Sequence, residues 1–432
     1  MQKIPEWKIL QSLGEKEPVE VSEDDTISAL QFDKTGTFLS LGDQGGRLII
    51  FNTEPAEKGK KITVPVKEYE YLTEFQSHQK EFDCLKSEEI RERINQIQWL
   101  RSQGNNMYIL TCNDKTIKLW KVSEKTKKKA ISLNSSPENI RSIDDIKFPE
   151  LKTVQEGYAP SQPPKIFPSL HNYHINALSV FSTDSNFLSA DDLRIYYWDI
   201  NRPQEAYSAI DIKPEDDQEE VSEVITSCKV HPTSDALFGY STSKGIINLC
   251  DLRISSMDSK RICQTFSETI DPAARNFFTD VLVNISDICL APNGKYIYSR
   301  DYLSVKIWDM SMTTKPISTI NLYDPLKAKL CEAYENEYIL DKFTISVSPC
   351  SNICATGMYN SNFHVVDSSG TNNIQFEHNY DRQTKSRLIP KKCTDKLTNY
   401  DFNLKTLATA WHPTTNVVAA ACQSSVFFYQ GK

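Results

Sequence analysis

The chain has 432 residues, of which 39% are hydrophobic and 25% are charged, an ordinary composition for a globular protein. The net charge of −8 argues against a nucleic-acid-binding protein, because such proteins usually carry a basic face. No apolar run approaches the ~18–20 residues needed to span a bilayer, and the start MQKIPEWKILQSL lacks the apolar core of a signal peptide. The eleven cysteines are scattered and include no CxxC pair, so we expect a reduced, intracellular, soluble protein without a metal or a cofactor.

The charge is distributed in zones along the chain. Acidic residues cluster at 14–25 and 215–223, and basic residues cluster at 121–129 and 382–392. An acidic run can be a solvated loop or part of an acidic surface that attracts basic partners by long-range steering. The sequence leaves both interpretations open.

The first predicted elements are a strand and, further along, a helix. The segment EWKILQSL around Trp7 predicts a strand that has no partner in its own neighbourhood. Residues 81–94 (EFDCLKSEEIRERI) resemble a helix start, because Ser87 is a candidate N-cap and two glutamates follow it in the first turn. Ile90 and Ile94 lie four residues apart, on one face of such a helix. We therefore predict one short charged helix in a chain that otherwise reads as strands.

A repeating pattern runs through most of the chain. Each copy has an apolar anchor, a turn, an apolar strand, a second turn and a strand that ends in a bulky residue. The anchors are Phe32, Trp99, Val180, Val230, Leu290, Val347 and Trp411. The matching strand ends, 18 to 21 residues later, are Phe51, Trp120, Trp198, Cys250, Trp308, Val366 and Tyr429. Seven such units resemble WD repeats, so we predict an all-β protein, a single seven-bladed β-propeller over residues 1–432. The strand at Trp7 is expected to complete the last blade and close the ring.

The repeats are unevenly spaced, and the spacing locates two insertions. Successive units begin at Ile27, Ile94, Ile175 and Ile225, at intervals of 67, 81 and 50 residues. A plain blade needs ~40–45 residues, so roughly 20 extra residues precede the second unit and roughly 40 precede the third. The predicted helix falls in the first excess, and the second lies at about 122–170. That segment contains apolar residues, which are Ile143, Ile146, Phe148, Leu151 and Val154. It is either a disordered loop or an insertion that binds a partner, and its apolar residues are too many for a simple linker.

No catalytic motif stands out. The sequence has no GxSxG, GxxxxGK[ST], HExxH or dinucleotide-binding fingerprint, so we expect a protein that is not an enzyme. Aspartates that precede the last strand of a unit usually brace a tight turn, and these are Asp43, Asp114, Asp192 and Asp301. Asp191 could instead brace the turn next to Asp192 and leave the Asp192 carboxylate free. The sequence does not decide between these two roles for Asp192.

Several runs are more specific than the repeats. EFDCLKSEEI, NDKTIKLWK, SADDLRI, RDYLSVKIWD, KLCEAYENEYILDKF and TAWHP resemble the B-type (55-kilodalton class) regulatory subunit of protein phosphatase 2A, a WD-repeat family. The resemblance runs from about residue 20 to the C-terminus. It implies a non-catalytic subunit that joins a helical-repeat scaffold subunit and a catalytic subunit and recruits phosphoprotein substrates. It also implies that 81–94 lies on the top face, and that 122–170 is a hairpin that binds the scaffold.

The resemblance further implies an acidic groove for phosphoproteins with basic flanks. By position, its residues are Glu23, Leu85, Glu89, Glu92, Tyr173, His174, Asp192, Val221, Cys331, Tyr334 and Glu335. Three positions depart from the family pattern: Gln44 stands where Lys is usual, Arg91 where Glu is usual and Val221 where Leu is usual. These departures make assembly a safer expectation than substrate preference.

We therefore expect a regulatory subunit of the phosphatase 2A holoenzyme that acts in the cytoplasm, with the nucleus as a second location. Nucleic acid and inserted membrane segments are not expected among its partners. One alternative is a WD-repeat adaptor of another assembly, such as a substrate receptor of a ubiquitin ligase. Another is a propeller that carries an enzyme activity. Co-purification with a phosphatase catalytic subunit and its scaffold would separate the regulatory subunit from both.

Overall fold

The computed structural model describes residues 6–14, 22–53, 68–84, 86–131, 150–162, 164–213, 221–254, 262–268, 276–322, 324–370, 373–378 and 401–431. Its strands, in chain order, are β1 (Trp7–Leu13), β2 (Ile27–Phe32), β3 (Phe38–Asp43), β4 (Arg47–Asn52), β5 (Glu70–Gln76), β6 (Glu81–Asp83), β7 (Glu88–Ile90), β8 (Gln96–Gln103), β9 (Asn106–Cys112), β10 (Ile117–Ile131), β11 (Glu150–Pro160), β12 (Lys165–Phe167), β13 (Ala177–Val180), β14 (Asn186–Ala190), β15 (Arg194–Asp199), β16 (Arg202–Asp211), β17 (Ile225–Val230), β18 (Leu237–Thr242), β19 (Ile247–Asp251), β20 (Ile262–Phe266), β21 (Ile285–Leu290), β22 (Tyr296–Asp301), β23 (Ser304–Asp309), β24 (Ser318–Asn321), β25 (Ile345–Val347), β26 (Ile353–Gly357), β27 (Asn362–Asp367), β28 (Asn373–Glu377), β29 (Ala408–Trp411), β30 (Val417–Cys422) and β31 (Ser425–Gly431).

Helices are short in the described part of the chain. The α-helices are α1 (Phe277–Leu282) and α2 (Leu330–Glu335), and the 3-10 turns are Glu23–Asp25, Asp324–Lys329 and Tyr338–Leu340. Among these residues, none of the helices has the length and hydrophobicity needed to cross a membrane.

Seven sheets form the blades of a propeller, as the repeats predict. The strand orders are β2-β3-β4-β5 in blade 1, β8-β9-β10-β11 with β12 also on β10 in blade 2, β13-β14-β15-β16 in blade 3, β17-β18-β19-β20 in blade 4, β21-β22-β23-β24 in blade 5, β25-β26-β27-β28 in blade 6 and β29-β30-β31-β1 in blade 7. The first strand of each blade contacts the first strands of both neighbouring blades, so these seven strands surround a closed central axis. The predicted anchors lie in these first strands, and the predicted strand ends lie in the third strands.

The blades are held together by apolar side chains that pack between adjacent sheets. Trp198 of blade 3, which is fully buried, belongs to a core cluster that also contains Leu110 and Leu119 of blade 2. Trp99 of blade 2 donates its indole N–H to Gln31 O and Ser40 Oγ of blade 1, at 3.1 and 2.9 Å. An indole N–H that leaves water needs such a partner, so the anchor both fills the interface and aligns the two blades.

Blade 7 is completed by the N-terminal strand. β1 pairs antiparallel with β31, from Trp7 opposite Gly431 to Leu13 opposite Val426. Trp7 is 2% exposed, and its ring lies 5.9 Å from the rings of both Trp411 and Phe376. The first and the last strands of the chain therefore share one sheet.

Blade 2 carries a hairpin that extends beyond the sheet. β10 pairs with β9 only as far as Val122, and its later residues, to Ile131, pair with β11 alone. β12 lies beside the first residues of β10 and completes the blade. The predicted hairpin insertion is therefore present, although its apolar residues Ile143, Ile146 and Phe148 lie outside the described residues.

The predicted helix at 81–94 is wrong. β6 and β7 form a two-stranded antiparallel hairpin, with Glu81 opposite Ile90 and Asp83 opposite Glu88. Ser87 has a φ of 53°, so it does not cap a helix but helps to form the left-handed turn between the strands. Ile94 is fully buried in the core between blades 1 and 2, where it belongs to the chain entering β8. A helix this short is marginal without packing, and Ile94 packs as part of the blade instead.

Candidate functional site

A cavity of about 650 Å³ opens at one end of the central axis, and we call it the top cavity. Its wall comes from the β6–β7 hairpin, from turns between the second and third strands of blades 1 to 3, and from the segments before β8, β13, β25 and β29. The starts of several first strands complete it. Loops of several blades meet here because every propeller blade points the same end of its strands toward the same face. We call this end of the propeller the top face.

The top cavity is mixed in charge, with carboxylates in excess. Its carboxylates belong to Glu88, Glu89, Asp114, Asp192, Asp287 and Asp341. Its cations belong to Arg91, Arg93, Lys342 and Lys405. A basic segment would therefore meet an attractive but interrupted surface, on which the position of each acid matters.

Asp191, and not Asp192, braces the turn between β14 and β15. Its carboxylate accepts hydrogen bonds from the backbone N–H groups of Leu193 and Arg194, at 2.9 and 2.6 Å, and contacts His171 Nδ1 at 3.0 Å. Burial raises the pKa of Asp191, but the interaction with His171 and the two amides outweighs it, so the net pKa is lowered. Asp191 thus braces the turn and Asp192 does not. The Asp192 carboxylate lines the top cavity and accepts a hydrogen bond from Asn176 Nδ2 at 2.6 Å.

Blade 2 repeats this arrangement one blade away. Asn113 Oδ1 accepts the backbone N–H groups of Lys115 and Thr116, at 3.1 and 2.7 Å. The neighbouring Asp114 lines the top cavity and accepts a hydrogen bond from Asn95 Nδ2 at 2.8 Å. The expected bracing role is therefore wrong for Asp114, because Asn113 occupies that position. Of the two roles left open for Asp192, the structure shows the second, because Asp191 braces the turn.

Asp43 and Asp301 do brace their turns. Asp43 accepts the backbone N–H of Arg47 at 2.7 Å, and Asp301 accepts that of Leu303 at 3.0 Å. The spacing separates these four aspartates, because Asp114 and Asp192 lie six residues before the bulky strand end, whereas Asp301 lies seven and Asp43 eight residues before it. Of the four, the two at six residues line the top cavity.

Lys342, in the segment before β25, forms a hydrogen bond across the top cavity to the segment before β13. Its ammonium group donates to Asn176 Oδ1 at 2.6 Å, so a chain of hydrogen bonds joins Lys342, Asn176 and Asp192. Burial lowers the pKa of Lys342, the charge of Arg93 adds to this, and the carboxylates of Asp192 and Asp114 oppose it. Lys342, Arg93 and Asp114 were not among the predicted groove residues. A signal for Asp114 existed, since Asn-Asp at 113–114 aligns with Asp-Asp at 191–192.

The structure brings some of the predicted groove residues together. Glu89, His174 and Asp192 line the top cavity, and His174 Nδ1 lies 3.5 Å from the Asp114 carboxylate. The other predicted residues that the structure describes do not line it, and these are Glu23, Glu92, Tyr173, Val221, Cys331, Tyr334 and Glu335. Leu85 lies outside the described residues. Of the three departures from the family pattern, Gln44 and Arg91 line the cavity and Val221 does not.

An exposed aromatic cluster lies on α1 and α2. Phe277 is 57% exposed and Tyr334 is 46% exposed, and their rings are 5.1 Å apart in an edge-to-face arrangement. Phe278 contacts both rings. Large apolar side chains that stay together in water often mark an interaction surface. No periodic signal marks Phe277 in the sequence, because α1 is short and lies between two blades.

The projecting hairpin is a second candidate surface, and it is basic. Its exposed lysines are Lys125, Lys127, Lys128, Lys129 and Lys152. Leu151 is 64% exposed on the opposite strand. Among the described residues, no group of His, Cys, Asp and Glu side chains is arranged to hold a metal ion. The top cavity has an excess of acids and the projecting hairpin carries lysines, so these two candidate surfaces differ in charge.

The chain is similar to several regulatory proteins over most of its length. It is 40% identical over 430 residues to the protein phosphatase PP2A 55 kDa regulatory subunit of Drosophila melanogaster, covering 96% of this chain and 85% of the relative. It is 36% identical over 479 residues to the serine/threonine-protein phosphatase 2A regulatory subunit phr2AB of Dictyostelium discoideum, covering 98% of each. It is 42% identical over 359 residues to the regulatory B-type subunit of protein phosphatase PP2A from Candida tropicalis, covering 82% of this chain and 69% of the relative. No family model matches the chain. The extent and level of these identities show that the chain belongs to the family of 55 kDa, B-type regulatory subunits of protein phosphatase 2A.

Proposed function

We propose that this chain is the non-catalytic subunit of a phosphatase 2A holoenzyme that recruits phosphoproteins with basic flanks through the top cavity. In this proposal the projecting hairpin binds the scaffold subunit, and the catalytic subunit lies beside the top face. Family membership supports the regulatory role, and the two separate surfaces support a division between assembly and recruitment.

One observation carries the recruitment step: the Asp192 carboxylate lines the top cavity and bonds to Asn176 there, and it is not used to brace a turn. Asp191 holds the turn, so Asp192 can face a partner without loss of the fold. Asp114 stands on the next blade in the same position, and Glu89 approaches from the hairpin. Acids from three elements around one cavity can contact successive basic side chains of a docked segment and raise its rate of encounter.

Asp192→Lys tests this step. It places a cation where basic substrates would dock, and a close like-charge contact of that kind can cost several kcal/mol. We expect slow dephosphorylation of a basic-flanked phosphoprotein by the holoenzyme, with the largest effect at low salt, because screening weakens the repulsion. The melting temperature should fall less than in a variant that loses the turn bracing, because the hydrogen bond from Asn176 is lost but the turn amides keep their acceptor, and the scaffold pull-down should stay unchanged.

Asp191→Ala is the contrasting variant. It leaves two turn amides and His171 without their acceptor, which should remove ~1–3 kcal/mol of stability and impair assembly and activity together. If Asp192→Lys also melts early and loses assembly in proportion, Asp192 is structural. If it melts and assembles normally and dephosphorylates at the normal rate, the top cavity does not recruit these substrates.

A further inference from the structure

Two lysines fasten one carbonyl group at the rim of the top cavity. Lys86, in the turn of the β6–β7 hairpin, donates from Nζ to Asn172 O at 2.7 Å. Lys115, in the turn of blade 2 beside Asp114, donates to the same oxygen, also at 2.7 Å. Lys86 is exposed, whereas Lys115 is only 6% exposed. The hairpin and blade 2 thus meet at a single backbone atom of a third segment.

That third segment, residues 171–175, is held at both of its ends. His171 is buried and contacts Asp191 and Ser189 Oγ within blade 3, the latter at 2.6 Å. At the other end, the backbone N–H of Ile175 donates to Asp114 O at 2.9 Å. The two lysines therefore fix the middle of a short segment whose ends are already anchored.

The fixed segment presents two exposed side chains. Tyr173 is 46% exposed, and the side chain of His174 is 55% exposed next to Asp114. Both follow Asn172 directly, so the position of the Asn172 carbonyl sets the direction of the backbone from which they project. The bond from Lys86 joins the hairpin to this segment.

The arrangement is not one that stability alone would favour. Burial lowers the pKa of Lys115, and the nearby charge of Lys86 lowers it further, against the attraction of Glu88. Two ammonium groups that share one neutral acceptor repel each other, so their juxtaposition offsets part of the gain from each hydrogen bond. The two hydrogen bonds do hold the hairpin and residues 171–175 in a fixed relative position.

We infer that Lys86 is a positioning residue for recruitment, which locks the β6–β7 hairpin and the Tyr173–His174 pair into one rigid surface. The inference rests on the proposed function of the top cavity. Glu88 and Glu89 of the hairpin line the cavity, and so does His174 of the segment that Lys86 holds. A surface that is already ordered loses less conformational entropy when a partner docks.

Lys86→Met tests the lock in the assembled holoenzyme, with a basic-flanked phosphoprotein as substrate. Methionine keeps the length of the side chain and removes the donor. We expect KM to rise about three- to ten-fold, the effect of one lost hydrogen bond, with kcat within a factor of two. Hydrogen exchange should become faster at residues 86–90 and 172–174, and stay unchanged in the blade strands. Lys86→Arg, which can still donate to Asn172 O, should restore KM.

Lys80→Met is the matched control. It removes the same charge from the foot of the same hairpin, where Lys80 pairs only loosely with Glu89, at 3.4 Å with both side chains exposed. We expect no rise in KM for this variant. An equal rise in both variants would mean that charge acts and not position, and an unchanged KM with unchanged exchange in Lys86→Met would overturn the inference.

The Asp192→Lys variant distinguishes a failure of this inference from a failure of the proposed function. If Asp192→Lys slows dephosphorylation and Lys86→Met leaves KM unchanged, the top cavity recruits substrate but Lys86 does not position it. If neither variant affects the reaction, the proposed function itself fails.

Discussion

At the scale of single residues, neighbouring side chains of the same type have different tasks. Asp191 and Asp192 are adjacent and chemically equal, yet one accepts two turn amides and the other faces the top cavity. Spacing to the bulky strand end singles out the bracing residue, because Asp191 lies seven residues before Trp198, as Asn113 does before Trp120 and Asp301 before Trp308. Asp191 also contacts His171 Nδ1 at 3.0 Å, and the spacing does not predict this contact with a residue 20 positions earlier.

Buried histidines give the fold a pH dependence that follows from single residues. Burial lowers the pKa of His78 to about 3, of His364 to about 4 and of His378 to about 3. In the unfolded chain each pKa returns to ~6.5, so the unfolded state binds more protons than the folded state below that pH. The stabilising contribution is therefore complete above pH ~6.5 and is lost as the pH falls toward the folded pKa values.

We expect the free energy of unfolding to fall between pH 6.5 and 5, by up to about 1.4 kcal/mol per pH unit for each of these histidines. Urea unfolding at a series of pH values measures this slope. His378→Gln is a suitable variant, because an amide can still bond to Thr406 Oγ1, which lies 3.0 Å from His378 Nε2. The variant should show a shallower slope. A wild-type stability that is constant from pH 7.5 to 5 would contradict the prediction.

At the scale of elements, the sequence predicts strands well and insertions less well. Strands within the repeats have apolar residues with a period of two and turn residues between them, so local signals and packing agree. In the 81–94 segment the local signals and the packing disagree. The glutamates and Ser87 suit a helix start, but Ile94 belongs to blade packing and Ser87 adopts a left-handed turn. The charged residues are therefore carried by a hairpin, which presents Glu88 and Glu89 to the same cavity.

The projecting hairpin can be removed at a defined point. Val122 is fully buried in the blade core, so a deletion that begins there would damage blade 2. Glu124 and Tyr158 face each other in the ladder two residues later. Joining them by an Asn-Gly turn and removing residues 125–157 should leave the blades folded, because such a turn suits a two-residue hairpin and repeat cores contact mainly their neighbours.

We expect this deletion variant to melt like the full chain and to lose scaffold binding by about ten-fold or more, since an interface of ordinary size buries ~1,600 Å² and the hairpin would supply much of it. A pull-down with the scaffold subunit and a melting curve measure the two properties. Replacement of Lys125, Lys128 and Lys129 by Glu, without deletion, shows whether the charge carries the contact. Full scaffold binding by a folded deletion variant would mean that the hairpin is not the scaffold contact.

At the scale of the whole molecule, the propeller is a closed ring in which the N-terminal strand β1 pairs with β31. The seven repeats predict the number of blades because each anchor packs in or against one of the seven core clusters, as Trp99 does between blades 1 and 2. The composition of the top cavity could not be predicted in this way. It draws on turns from three blades, on a hairpin and on the segments before the first strands of four blades, and the closed ring brings these distant parts of the chain together.

Ring closure depends on β1, and removing residues 1–13 tests it. The deletion takes away Trp7, Ile9 and Leu10, which are 2%, 2% and 6% exposed, and leaves β31 as an open edge. Each large buried side chain that is lost from a core costs ~2–5 kcal/mol, and an open apolar edge invites pairing with another chain. We expect a lower melting temperature and concentration-dependent aggregation, both measurable by thermal unfolding with light scattering.

A peptide can separate the loss of one strand from general damage to the chain. A synthetic peptide of residues 6–14 contains all of β1, and its backbone can pair again with the free edge of β31. In excess it should raise the melting temperature of the truncated protein and suppress aggregation. A peptide with Trp7 and Ile9 replaced by Ser should not, because it lacks the side chains that contact Trp411 and Phe376. A truncated chain that stays soluble and melts at the normal temperature would show that the propeller does not need β1 to close.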